Sequence, residues 1–189
     1  MNKSLEKILV DLITYELDLP LDYGKTKDGD VIPCVIAYSQ NIKLFNTPKM
    51  QITVKTVSTK DYSNRVEFKT NPNPSEDGKD AYIETQYLNQ SRLMQIDVYS
   101  RNNEARERFW EISTALKSTR AEELQDLYNF KIGTITNGVN ISGIDGSSDI
   151  NRYSISFNVL VHYQKERYID YYDKFSEEVY NEQGKIFNI

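Results

Sequence analysis

The sequence predicts an α+β fold: a mixed, mainly antiparallel β-sheet packed on one side by two or three helices, with a protruding hairpin arm and a C-terminal extension. Three observations lead there. Met94, Ile96 and Val98 alternate with Gln95, Asp97 and Tyr99, the period of a strand with one covered face, and the chain then turns through Ser100-Arg101-Asn102-Asn103 into an amphipathic helix. Tyr153, Ile155, Phe157, Val159, Val161 and Tyr163 alternate with Ser154, Ser156, Asn158, Leu160, His162 and Gln164, a pattern broken only by Leu160. Near the N-terminus, Leu5, Ile8, Leu9, Leu12 and Ile13 form one helical stripe.

Taken in order, Ser4 to Leu17 is a helix closed by Pro20, and Asp18 to Asp30 is a polar loop with an Asp28-Gly29 turn. Val31 to Tyr38 is a short buried strand in which Pro33 points to an edge position. Gln40 to Pro48 is irregular, and Met50, Ile52 and Val54 mark a second strand. Arg65 to Thr70 alternates again. The run from Asn71 to Asp80 holds two prolines, one glycine and no apolar residue. Residues 65–86 therefore form a hairpin arm with an exposed tip, and Asp61 falls in the turn before it.

An asparagine stands at the N-cap of the helix from Asn103 to Lys117, whose apolar residues are Ala105, Phe109, Ile112 and Leu116. Ser118 or Thr119 caps a second helix ending near Tyr128. Asn137-Gly138, between Lys131–Thr136 and Val139–Ile144, is a two-residue hairpin signal, and Asp145-Gly146 turns into the last strong strand. In the final segment Tyr168, Tyr172, Phe175 and Val179 fit helical spacing; a tail that orders only on a neighbour is the other reading. The organisation expected is one domain over 1–164 and an extension over 165–189.

Composition narrows the function classes. The net charge of −5 opposes a nucleic-acid grip, which needs a basic face. Arg101, Arg106 and Arg108 are interleaved with Glu104, Glu107 and Glu111 as on a solvated helix face, with Glu104 and Arg108 at i,i+4 spacing. Cys34, alone in the chain, allows no intrachain disulfide and reads as an inert buried thiol, which suits a reducing compartment and folding in the cytosol. No apolar stretch approaches the roughly 20 residues of a membrane span. The 14 tyrosines suit surfaces that become half buried against a partner. Phe68, Tyr82, Tyr87, Tyr168, Tyr172 and Phe175, on the arm and the extension, are the candidate oligomer interface.

Catalytic chemistry finds little purchase. His162 is the only histidine, so neither a triad nor a multi-histidine metal site can be assembled, and no glycine pattern cradles a phosphate. One enzyme candidate remains, a Mg²⁺-dependent nuclease using Asp61 and Glu67 to hold the metal and Lys69 beside the attacking water. The expectation is otherwise no enzyme, no cofactor and no metal.

The element order carries a family resemblance. It runs from an N-terminal helix through Val31-Ile32…Ala37-Tyr38-Ser39-Gln40-Asn41 to the proline-led strand Pro48-Lys49-Met50-Gln51-Ile52-Thr53-Val54. Then come Gln95-Ile96-Asp97-Val98-Tyr99, the helix containing Ala105, and a closing strand from Arg152 to Val161. This resembles the tail-terminator (tail-completion or neck) proteins of long-tailed bacteriophages over Leu5 to Tyr163. Asn158 stands where that family commonly has an aspartate, and the C-terminal segment is an addition. The resemblance implies a non-enzymatic virion protein, made in the host cytoplasm, that forms a hexameric ring at the head-proximal end of the tail. Its partners would be copies of itself, the tail tube protein and the head–tail connector or stopper, with DNA passing through the lumen without specific binding. Another connector or stopper component is the alternative within that class, and a cytosolic adaptor with a tyrosine-rich surface is another.

Overall fold

A computed structural model describes residues 3–25, 27–37, 49–73, 75, 81–145, 148–169, 179–180 and 186–187. The chain divides into two compact units, one of Met1–Ser63 with Asn89–Tyr163, the other of Asn64–Leu88 with Gln164–Ile189. The fold is α+β, with three helices among the described residues and a mixed, mostly antiparallel sheet.

In the first unit, α1 (Leu5–Glu16) is capped by Ser4, whose hydroxyl accepts from the Lys7 N–H. Its predicted stripe, Leu5, Ile8, Leu9, Leu12 and Ile13, is buried in full. The helix ends before Pro20 because Asp18 takes a left-handed conformation (φ 49°) and the Leu19 N–H returns to the Thr14 carbonyl at 3.0 Å. The segment expected as loop then contains β1 (Asp22–Lys25), paired antiparallel with β2 (Val31–Pro33). Gly29, at φ +89°, supplies the turn geometry between them. The single strand expected from Val31 to Tyr38 is interrupted at Cys34. Beyond it β3 (Val35–Ala37) changes partner and runs parallel to β4 (Gln51–Thr70). The irregular stretch expected at Gln40–Pro48 lies outside the described residues.

β4 is one unbroken strand of 20 residues. Asp61 is therefore mid-strand, where the sequence placed a turn; the run Ser58–Asn64 lacks apolar alternation, and all of its residues are exposed. The main sheet has the order β3-β4-β5-β9-β6, with β5 at Tyr82–Ser100, β6 at Phe130–Ile135 and β9 at Ser148–Ile169. Met94, Ile96 and Val98 of β5 and Tyr153, Ile155, Phe157, Val159 and Val161 of β9 meet the helices in one core.

α2 (Glu104–Ala115) begins differently from the expectation if Asn103 is taken as the cap, since that side chain makes no capping bond. Asn102 Oδ1 accepts from the Glu104 N–H at 3.0 Å, and Ser100 Oγ from the Ala105 N–H at 3.0 Å. α3 (Thr119–Tyr128) is capped by Ser118 through the Ala121 N–H, as read, and Asn129 ends it in the left-handed region.

The Asn137-Gly138 hairpin does not form. β6 and β7 (Val139–Asn140) each pair with β9 instead of with one another, and β8 (Gly143–Asp145) pairs with the start of β9. Gly138 serves packing here: a Cβ on it would sit 2.6 and 2.7 Å from two carbons of the Phe109 ring. That ring stacks on Tyr153 at 4.4 Å and 8° and has little room to retreat. Gly138→Ala should lose about 1–3 kcal/mol by overpacking. Made on a Phe109→Ala background, the same change should cost almost nothing in a urea titration. Equal losses in both backgrounds would refute the steric account.

The opposite face of β5 also departs from expectation. Asp97 and Tyr99 are buried, as are Gln51 and Thr53 of β4. In the C-terminal segment, residues 165–169 continue β9 as strand, and Val179 lies in β10 (Val179–Tyr180), paired antiparallel with β11 (Ile186–Phe187). The expected helix is thus absent at these described positions, since extended pairing has taken the backbone hydrogen bonds a helix would use.

Candidate assembly surface

Strands β4 and β9 each contribute residues to both units. From Val57 to Thr70 every residue of β4 except Glu67 is exposed, and β9 is exposed from His162 to Tyr168. In the second unit, alternation sets Val66 and Phe68 on one face of β4 and Arg65, Glu67 and Lys69 on the other. Glu67 is flanked by Arg65 at 2.5 Å and Lys69 at 3.9 Å and accepts the Tyr87 hydroxyl at 3.3 Å. Glu84 on β5 accepts from Gln86 Nε2 and Arg167 Nε, each at 2.5 Å. These two bonds hold its carboxyl below the usual range. The Asn71 N–H closes the hairpin on the Ala81 carbonyl at 2.8 Å.

Of the six interface candidates, Phe68 (63% exposed) and Tyr168 (64%) present most of their surface. Tyr82 and Tyr87 are half-buried, and Tyr172 and Phe175 lie outside the described residues. Leucine, valine and tyrosine side chains elsewhere on the long strands add Val57, Tyr62, Val66 and Leu160 to the exposed apolar set. Val57 and Tyr62 carried no sequence signal, because exposed strand positions have the same composition as covered ones.

The nuclease candidates fall in two different units. Asp61, in the first unit, accepts from Gln90 Nε2 at 2.8 Å, whereas Glu67 and Lys69, in the second, pair with each other. Among the described residues no three His, Cys, Asp or Glu side chains cluster as a metal would require. His162 is exposed, its Nδ1 2.7 Å from Asn89 Oδ1. Cys34 is fully buried, and burial pushes its thiol up.

Two polar arrangements in the first unit escaped the sequence. Arg108, expected on a solvated face, bonds Glu111 at 2.8 Å, Glu104 at 3.4 Å and the Leu17 carbonyl at 3.1 Å. Glu104 in turn accepts from the Met50 N–H at 3.0 Å, so this i,i+4 pair ties α2 to the end of α1 and the start of β4. Asp97 accepts from Arg152 at 2.8 Å, Lys55 at 3.3 Å and Gln95 at 2.7 Å. Burial alone would raise its carboxyl. The hydrogen bonds from Gln95, Arg152 and Ser154, with the Arg152 charge, more than offset that and hold it below the usual range. Among the described residues, two buried polar atoms have no hydrogen-bond partner, Gln51 Oε1 and the Tyr99 hydroxyl.

No helix among the described residues is long and apolar enough to cross a membrane. Comparison with known proteins adds no identification: no family model matches the chain, and no curated protein matches it in sequence.

Proposed function

We propose that the chain is a structural virion subunit that forms a ring, hexameric by analogy with the family it resembles, at the head-proximal end of a phage tail. There it ends tube polymerisation and joins the tail to the head connector. The observation that supports this most is the exposure of Val66, Phe68 and Tyr168 on strands β4 and β9 of the second unit. Sheet without a covering layer gains little from folding alone, and natural proteins cover, charge or pair such strands. A neighbouring copy provides the missing layer, and head-to-tail repetition of one contact closes a ring. The tail tube protein and the connector or stopper then meet its two faces, and an acidic chain lets DNA pass without holding it.

Particles assembled without this chain test the reading under negative stain. Overlong tails, or tails unjoined to heads, are expected; normal tails on filled heads would end the proposal.

A further inference from the structure

A groove of about 690 Å³ lies beside α1 and β3 in the first unit. Its apolar wall comes from Tyr15, Leu19, Leu21 and Val35, of which Tyr15 is 65% and Leu21 84% exposed. β3 is the end strand of the described sheet, and no described strand pairs with its outer edge. The rim is acidic. Glu16 and Asp18 line the groove, and no described base forms an ion pair with either. Both stand at the C-terminus of α1, where Arg108 Nη2 bonds the Leu17 carbonyl at 3.1 Å and offsets part of the helix's negative end, leaving the two carboxylates themselves as the rim's charge. Asp11, the third carboxylate there, is paired with Lys3 at 2.7 Å. Arg120 lies over the Tyr15 ring at 4.3 Å, yet Glu16 and Asp18 keep no described ion-pair partner. This apolar wall, open strand edge and acidic rim together fit an extended segment that alternates apolar and basic side chains.

The chain contains such a segment. We propose that the groove between α1 and β3 receives the Arg65–Lys69 stretch of a second copy of this chain. Val66 (46% exposed) and Phe68 (63%) supply the apolar side chains. Arg65 and Lys69, with side chains 72% and 66% exposed, supply the charge, and their flexible stems reach the rim while the rings and methyls pack below. Glu67 between them pairs with both bases and offsets one of the two charges, so the stretch brings a net charge of +1 to the acidic rim. The contact is heterologous, groove to strand, so its repetition gives a closed ring or an open filament. It rests on the ring reading and names the surfaces that would make the ring.

The test measures self-association of the full chain by sedimentation at low and high salt. Glu16→Lys with Asp18→Asn reverses the rim, asparagine being able to keep the left-handed backbone. Arg65→Glu, Glu67→Lys and Lys69→Glu together invert the strand while preserving its internal ion pairs. Each set alone should weaken association by about tenfold, and combining both in one chain should restore it to within about threefold. Association that ignores both sets, or is not restored by the combination, overturns the inference while leaving the ring reading to the particle experiment. A wild-type chain that stays monomeric at every concentration reached also overturns it, because the occupant is this chain itself.

Discussion

Replacing Phe157 by alanine is expected to destabilise the protein by about 3–5 kcal/mol, the largest loss from any single truncation considered. Phe157 is 1% exposed and heads the fully buried side chains by volume. It lies on β9 opposite Ile135 of β6, so both the sheet and the helical layer fix its surroundings. Walls held in that way relax little, and a cavity term adds to the lost transfer energy. Against a total stability of about 5–15 kcal/mol, the variant would be marginal at 37 °C. Leu160→Ala, three residues along the same strand but 45% exposed, provides the control and should shift stability by no more than about 0.5 kcal/mol. Urea titrations of the three proteins decide it: a Phe157 loss below about 1 kcal/mol would mean that the core is not packed as described.

Asp97→Asn should cost about 3 kcal/mol at pH 7. The carboxylate is 4% exposed and takes hydrogen bonds from Arg152, Lys55 and Gln95. An asparagine amide would turn a donor toward donors and leave two cations without their counter-ion. The loss falls at the low end of the range for breaking a buried pair, because Arg152 is 43% exposed and can reach water. The pH dependence has a definite sign. The folded carboxyl titrates below its ordinary value of about 3.9, so the unfolded chain takes up the proton first as pH falls. The stabilisation is complete above the unfolded value and disappears as pH drops through the folded one. Wild type and Asp97→Asn should therefore converge in stability below about pH 4. A difference that stays constant from pH 7 to pH 3 would show that Asp97 is not held as an anion.

Local signals were the legible ones. The cap at Ser118, one of the two residues expected there, the stripe from Leu5 to Ile13 and the alternation from Tyr153 to Val161 each involve residues that interact within a turn or along one strand. One local reading failed, the Asn103 cap, whose place Asn102 and Ser100 take; the failures at Asn137-Gly138, Asp97 and Arg108 depended on partners distant in sequence. Asn137-Gly138 has the composition of a hairpin turn, yet β9 outcompetes the local pairing, and the glycine is needed because Phe109 arrives from α2. Asp97 looks like a solvent-facing residue until Arg152 and Lys55 are brought to it from two other strands. The same holds for Arg108, whose bond to the Leu17 carbonyl spans the interval between two helices. For the assembly surface, the sequence singled out Phe68 and Tyr168 as aromatic residues on a projecting segment. It offered no way to see that Tyr82 and Tyr87 are half-covered within their own unit, nor that the wall beside α1 is open.

The single cysteine has a practical consequence. Because Cys34 is inaccessible and its thiol resists ionisation, a maleimide or spin label added near neutral pH meets almost no native thiolate. A cysteine introduced at an exposed site can thus carry a dye or a paramagnetic probe against a silent background, without first removing the natural one.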